Sequence, residues 1–249
     1  MELTNKVALV TGGTKGIGAA TALELAVRGA DVAVVARHLD DGAQQVRAQI
    51  EKHGRRCLLI AADMGQPADA TRCVEQTAQQ LGDVDVLVHS AGGAVRGKLM
   101  ELTPEIWREA FAVHVDAIFH LCRAAVPAMQ RKKAGAIVLV SSVAGLRGLK
   151  FGLAYQVVKG ALPQFARGLA YELADDNIRV NCVAPGVIRT AFHAAMTPEA
   201  KKHNIDNRIP LHREGTPAQV ASLICELVRN DYLTGETFTV DGGLTMRIC

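Results

Sequence analysis

A chain of 249 residues, 49% hydrophobic and 21% charged, is long enough for one large α/β domain with a filled core and too short for two full ones. Lysine plus arginine number 28 against 25 aspartate plus glutamate, and no basic block outgrows Arg131-Lys132-Lys133, so a dedicated nucleic-acid role has no footing. The six cysteines are scattered without a Cys-x-x-Cys pair or histidines at zinc spacing, which argues against a metal site.

The first residues, Met-Glu-Leu-Thr-Asn-Lys, lack the basic-then-apolar pattern of a secretory leader. No uninterrupted apolar run approaches the roughly 20 residues that cross a bilayer. The expectation is a cytoplasmic chain with reduced thiols and no membrane partner.

Short runs rich in Val, Ile and Leu predict strands at 7–10, 32–36, 57–61, 84–88, 137–140, 180–183 and 238–240. Amphipathic stretches of crossover length separate them. Runs apolar on both faces belong in a parallel sheet covered by helices on each side, so the pattern predicts a doubly wound α/β sheet of about seven strands. There is no repeat, low-complexity tract or linker, and a single domain over 1–249 is expected. The least patterned stretch, about 189–214, follows a strand end and is a candidate substrate lid.

The first strand runs into Thr11-Gly12-Gly13-Thr14-Lys15-Gly16-Ile17-Gly18 and then a helical pattern over 19–28. Glycines without Cβ let backbone approach a pyrophosphate, and a helix start offers unpaired N–H groups with a positive dipole end. The spacing is Gly-x-x-x-Gly-x-Gly. Further on, Tyr155 and Lys159 are four apart in a helical segment, hence on one face, where an ammonium can lower the pKa of a tyrosine acid/base. Ser142 follows the strand 137–140 and would emerge at the same sheet edge. Pro163 in that helix deprives the Lys159 carbonyl of its helical donor and predicts a local bend.

The glycine turn with Asp63, Ser90-Ala91-Gly92, Ser142, Tyr155-x-x-x-Lys159, Pro185-Gly186, Thr190 and Asp241-Gly242-Gly243, in this order over nearly the whole chain, resembles the classical short-chain dehydrogenase/reductase family. The resemblance implies a Rossmann-like fold and hydride transfer between a nicotinamide and a carbonyl/alcohol pair. Ser142 would bind the substrate oxygen, Tyr155 donate the proton, and Lys159 hold the nicotinamide ribose and tune Tyr155. Cofactor contacts are implied for Gly12, Thr14, Lys15, Gly16, Ile17, Gly18, Arg37, Asp63, Met64, Ser90, Ala91, Gly92, Tyr155, Lys159, Pro185, Gly186, Ile188 and Thr190. It also implies a homotetramer, or else a dimer, paired through the helices around 102–131 and 153–175.

An NAD enzyme usually carries Asp or Glu at the end of the second strand; here that place is Ala36, followed by Arg37, and Lys15 adds a second cation. NADP(H) is therefore the expected cofactor, with NAD(H) as the alternative. Asp40 and Asp41 could cap the next helix. Three segments depart from the family pattern. His114 stands where asparagine is usual, and a histidine titrating near neutrality could modify the proton relay. His89-Ser90 replaces Asn-Asn, and Val157-Val158 makes the catalytic helix bulkier.

Near the substrate the sequence places Ala144, Leu146, Leu149, Leu153, Val187, Phe192 and Met196, with Arg147 and His193 to orient a polar end. A small free carbonyl compound ranks above an acyl-carrier-protein substrate, because Asp175-Asp176 would repel an acidic partner. Two other readings remain: a noncatalytic NADP-binding regulatory module, and a lyase or epimerase on the same scaffold.

Overall fold

A computed structural model describes residues 1–193 and 196–246, with the side chain of His193 outside the described part. Seven parallel strands form one sheet: β1 (Val7–Thr11), β2 (Asp31–Ala36), β3 (Cys57–Ala61), β4 (Val86–His89), β5 (Gly135–Val140), β6 (Ile178–Pro185) and β7 (Thr237–Val240), in the order β3-β2-β1-β4-β5-β6-β7. Strand alternation feeds two cores. Leu9, Leu87 and Ile137 lie in register and face α3 (Pro67–Gln80), α5 (Ala117–Lys132) and α6 (Leu153–Glu172). Ala8, Val10, Val88 and Val138 face α1 (Gly16–Val27), α2 (Asp41–Lys52) and α8 (Pro217–Arg229). Burial of both faces is why the strands read as unbroken apolar runs.

The fourth strand begins at Val86 and extends to His89, because His89 pairs in register with Thr11 and Leu139 despite its polarity. The order reverses beside β1, which is hydrogen-bonded to both β2 and β4, so the carboxyl ends of β1 and β4 open a crevice.

α4 (Pro104–Phe111) continues through a π-helical turn, Ala112–Asp116, into α5. This continuous helix, Pro104–Lys132, contains an 18-residue stretch whose mean hydropathy, 1.2, reaches that of a membrane span although charged residues interrupt it. Its apolar face is instead part of the core through Ile118, Leu121, Cys122, Ala125 and Met129. The remaining helix, α7 (Pro198–His203), lies in the candidate lid.

α6 runs from Leu153 to Glu172 without interruption at Pro163. The carbonyl of Lys159 loses its helical donor there and accepts instead from Ser141 Oγ at 2.6 Å. Gly145 makes room for this substitution, since a Cβ on it would stand 2.6 Å from the same carbonyl group. Ser141→Ala should therefore orphan a buried carbonyl and cost about 1–3 kcal/mol. In a Pro163→Ala background, whose N–H restores the helical bond, the same change should cost clearly less. Urea unfolding of the four variants measures this coupling, and equal losses in both backgrounds would separate Ser141 from Pro163.

Candidate active site

The glycine turn is built by close backbone approaches. A Cβ on Gly18 would meet the Gly12 carbonyl oxygen at 2.2 Å, and one on Gly12 would meet the Ser90–Ala91 backbone at 2.9 Å. Gly12 and Gly16 take φ +65° and +55°, a region costly for residues with side chains. α1 starts without any side-chain cap on its first N–H groups and without an acidic residue in its first turn. Elsewhere Asp40, Thr103, Thr197 and Thr216 cap α2, α4, α7 and α8. The uncapped, electropositive start of α1 fits a pyrophosphate.

The other cofactor candidates converge on this crevice to different degrees. Thr190 lies against the turn, its Cγ2 being 3.2 Å from where a Gly16 Cβ would sit. Thr14, Gly16 and Ile17 are half-buried along it, and Pro185, Gly186 and Ile188 follow at the end of β6. Gly186 packs against Asp241, and Ile188 bridges to Gly215. Met64 is buried in the core, so backbone is what it offers the crevice. Asp63 turns onto its own loop, accepting from Gly65 N at 2.9 Å. The two expected phosphate cations differ. Arg37 is exposed and has no ion-pair partner among the described residues, whereas Lys15 is engaged by Asp40 at 2.7 Å, the same aspartate that caps α2.

Ser142 closes β5 and caps the short turn Val143–Gly145, its Oγ accepting from Ala144 N at 3.1 Å. It lies close enough to Tyr155 to favour the phenolate. Lys159, one helical turn after Tyr155, is 5% exposed and donates to the Val140 carbonyl at 2.8 Å, with its ammonium 5.9 Å from the Tyr155 ring centre. Burial lowers the Lys159 pKa to about 8. The same cause raises the Tyr155 phenol above its ordinary value, with partial relief from Ser142. This corrects the expectation drawn from their spacing: desolvation dominates, and Tyr155 holds its proton at neutral pH.

Two histidines surround this cation. His89 Nε2 lies 3.2 Å from the Val113 carbonyl, which can only accept, so Nε2 carries the proton and Nδ1 takes the Thr11 hydroxyl hydrogen at 3.0 Å. Thr11 Oγ1 accepts in turn from Ser90 N and Ala91 N, each at 3.2 Å. His89 thus ties β1, the loop after β4 and the π-helical turn together. His114, within that turn, is 2% exposed, and its Nδ1 is buried without a partner among the described residues. Its ring stands edge-on to Tyr155, centres 6.0 Å apart, and occupies the place of a Gly92 Cβ, which would lie 2.2 Å from Cε1. Burial first, and then the charge of Lys159, push both histidines down to about 3. His114 therefore does not titrate near neutrality as its residue type suggests.

On the substrate side Phe192 approaches Tyr155 with ring centres 5.9 Å apart. Leu149, Leu153 and Phe192 are each more than a third exposed, Ala144 and Leu146 are half-buried, and Arg147 is exposed. Met196 accepts from Asn204 Nδ2 at 3.3 Å. Val187 lines a cavity with Leu211 and Asp241 on the β7 side, and the His193 side chain lies outside the described residues. Asp241 closes the turn behind it, accepting from Gly243 N and Thr245. Val158 packs with Ala110 and Ala154 toward α4. Sequence reasoning missed Thr11, Ser141 and Gln156 as organising residues; the proline four positions after Lys159 was the signal for Ser141.

A family model described as enoyl-(acyl carrier protein) reductase matches residues 12–245. The chain is 36% identical over 250 residues to dehydrogenase/reductase SDR family member 4 of Oryctolagus cuniculus, covering 99% of this chain and 96% of that one. L-sorbose reductase from Gluconobacter frateurii, solved with NADPH and L-sorbose, superposes with a TM-score of 0.92 at 31% identity over all of both chains. A blue fluorescent protein from a metagenomic library, solved with NADPH, gives 0.91 at 33% identity over 98% and 100%.

The two neutral histidines tie stability to pH. In the unfolded chain each takes up a proton near pH 6.5, while the folded chain resists protonation until about 3, so their stabilisation is complete above 6.5 and is lost as pH falls between these limits. At pH 5 the loss is about 2 kcal/mol for each. Urea unfolding at pH 7 and pH 5 should show the combined drop, and His89→Gln should remove about half of its pH dependence.

Proposed function

Since the chain belongs to the short-chain dehydrogenase/reductase family, a family of oxidoreductases, we propose that it uses NADP(H) to interconvert a small free carbonyl compound and its alcohol. The observation that carries this reading is the buried Lys159 ammonium 5.9 Å from the Tyr155 ring centre at the carboxyl edge of the sheet, with Ser142 beside the same phenol. The nicotinamide, when bound, supplies or takes the hydride. Ser142 Oγ orients the substrate oxygen. Tyr155 Oη holds a proton at neutral pH and gives it up as negative charge develops on that oxygen. The Lys159 ammonium, protonated below about pH 8, favours the phenolate left behind. His114 serves as a neutral hydrogen-bonding group in the site, and 189–214 as the lid.

The cradle at Gly12, Gly16 and Gly18 would hold the pyrophosphate, with Asp63, Met64, Ser90, Ala91 and Gly92 along the cofactor and Pro185, Gly186, Ile188 and Thr190 across it. NADP(H) is favoured by the absence of a carboxylate at Ala36 and by the exposed Arg37; the solved relatives named above are NADPH complexes. Lys15 contributes less than its charge suggests while Asp40 holds it. A small substrate is favoured because the basic block is already neutralised: Arg131, Lys132 and Lys133 pair with Asp83, Asp85 and Asp176. A homotetramer through Pro104–Lys132 and α6 is part of this reading, supported by exposed Phe119 (48%) and Tyr171 (90%). A stable monomer by light scattering overturns it.

Tyr155→Phe should lower kcat for a ketone by about 10²–10⁴-fold, the usual yield of general acid catalysis, with NADPH binding nearly unchanged. NADPH binding by the wild type without turnover of any carbonyl compound would favour a regulatory module. Wild type should prefer NADPH over NADH by at least about tenfold in kcat/KM, the scale of one charge-assisted phosphate contact. Ala36→Asp with Arg37→Ala should reverse that preference. Equal wild-type efficiency with both cofactors would remove Arg37 from the assignment and leave the oxidoreductase reading intact.

A further inference from the structure

The wall of the substrate side between β5 and α6 has no regular structure of its own from Leu146 to Gly152, and Gly148 loosens it further. Contacts from outside hold it at two points. At the first, the Gln156 carboxamide grips both polar groups of Leu149: Oε1 accepts from Leu149 N and Nε2 donates to Leu149 O, each at 2.6 Å. A primary amide presents one acceptor and one donor side by side, so it pairs with a peptide as a neighbouring strand would. At the second, Gly97 N donates to Phe151 O at 3.1 Å, Gly97 bridges to Gly152, and the Lys98 ammonium sits 5.1 Å from the Phe151 ring centre. Phe151 takes φ +64°, which a residue with a side chain adopts only when its surroundings impose it.

We propose that Gln156 is a positioning residue that sets substrate selection by fixing this wall relative to the phenol of Tyr155. The proposal rests on the carbonyl-reductase reading above. Tyr155 and Gln156 are consecutive on α6, so their side chains leave the helix about 100° apart on one rigid turn. One faces the reacting oxygen, and the other anchors the loop carrying Leu146, Leu149 and Arg147. Movement of the wall relative to the proton donor is thereby limited to the play of two hydrogen bonds. Glutamate at this position could accept from Leu149 N but could not donate to Leu149 O at neutral pH. Methionine, of similar length and helix preference, could do neither.

The experiment compares wild type with Gln156→Met and Gln156→Glu by steady-state kinetics on ketones of graded size, by NADPH binding, and by limited trypsin digestion at Arg147 and Lys150, which lie in the clasped loop. With two solvent-accessible hydrogen bonds lost, Gln156→Met should raise KM for the preferred ketone about ten-fold, with kcat changed by less than about three-fold. It should also narrow the preference between large and small ketones and speed cleavage after Arg147 and Lys150 about ten-fold, while NADPH affinity stays unchanged. Gln156→Glu should fall between. Unchanged KM and size preference in Gln156→Met overturn the proposal, even if trypsin shows that the loop has loosened. Absence of carbonyl turnover in wild type overturns the underlying reading and this role together, whereas normal wild-type turnover left untouched by the substitution overturns this role alone.

Discussion

A desolvated ammonium lies at the centre of this protein. Lys159 is nearly inaccessible, and the described structure gives its head one hydrogen bond, to the Val140 carbonyl. Burying such a charge is expensive, and the neighbouring groups record it. The lysine itself is pushed toward its neutral form, its charge adds to the burial that keeps His89 and His114 uncharged, and Tyr155 retains its phenolic proton through its own burial. A cation in low dielectric is costly to the fold, and a cluster of perturbed groups around one is what functional sites commonly show.

Holding that cation in position falls to groups with no chemistry of their own. The backbone of Lys159 is secured by Ser141 because Pro163 cannot do so, and Gly145 permits the close approach. Opposite, the chain Thr11–His89–Val113 fastens β1 and β4 at the point where strand order reverses. Across this same boundary a cofactor would lie, so the clasp stiffens both the crevice and the π-helical turn that carries His114 beneath Tyr155. Gly92 gives up its side chain to His114, and Gly12 gives up its own to the Ser90–Ala91 backbone. Glycines here are dictated by neighbouring protein atoms as much as by any ligand.

Charge at the rim follows the same logic of local neutralisation. Asp40 both caps α2 and holds Lys15, and Asp85 draws in Lys132. Arg37 is left exposed and unengaged among the described residues at the end of β2.

The chain alone was sufficient for the doubly wound sheet, the glycine turn leading into α1, and the placement of Tyr155 and Lys159 one turn apart on one helix. These depend on periodicity and spacing, which are local properties: unbroken apolar runs demand a sheet buried on both faces, and residues four apart in a helix share a face. What it could not convey were the values of interactions between distant segments. The spacing of Tyr155 and Lys159 suggested a lowered phenol pKa, yet burial by surrounding elements reversed the direction. His114 looked like a near-neutral titrating group until the fold enclosed it against Gly92 and Tyr155, and Lys15 looked free until Asp40 arrived from the next helix. Desolvation and ion pairing are set by which segments meet, and that was decided only by the tertiary structure.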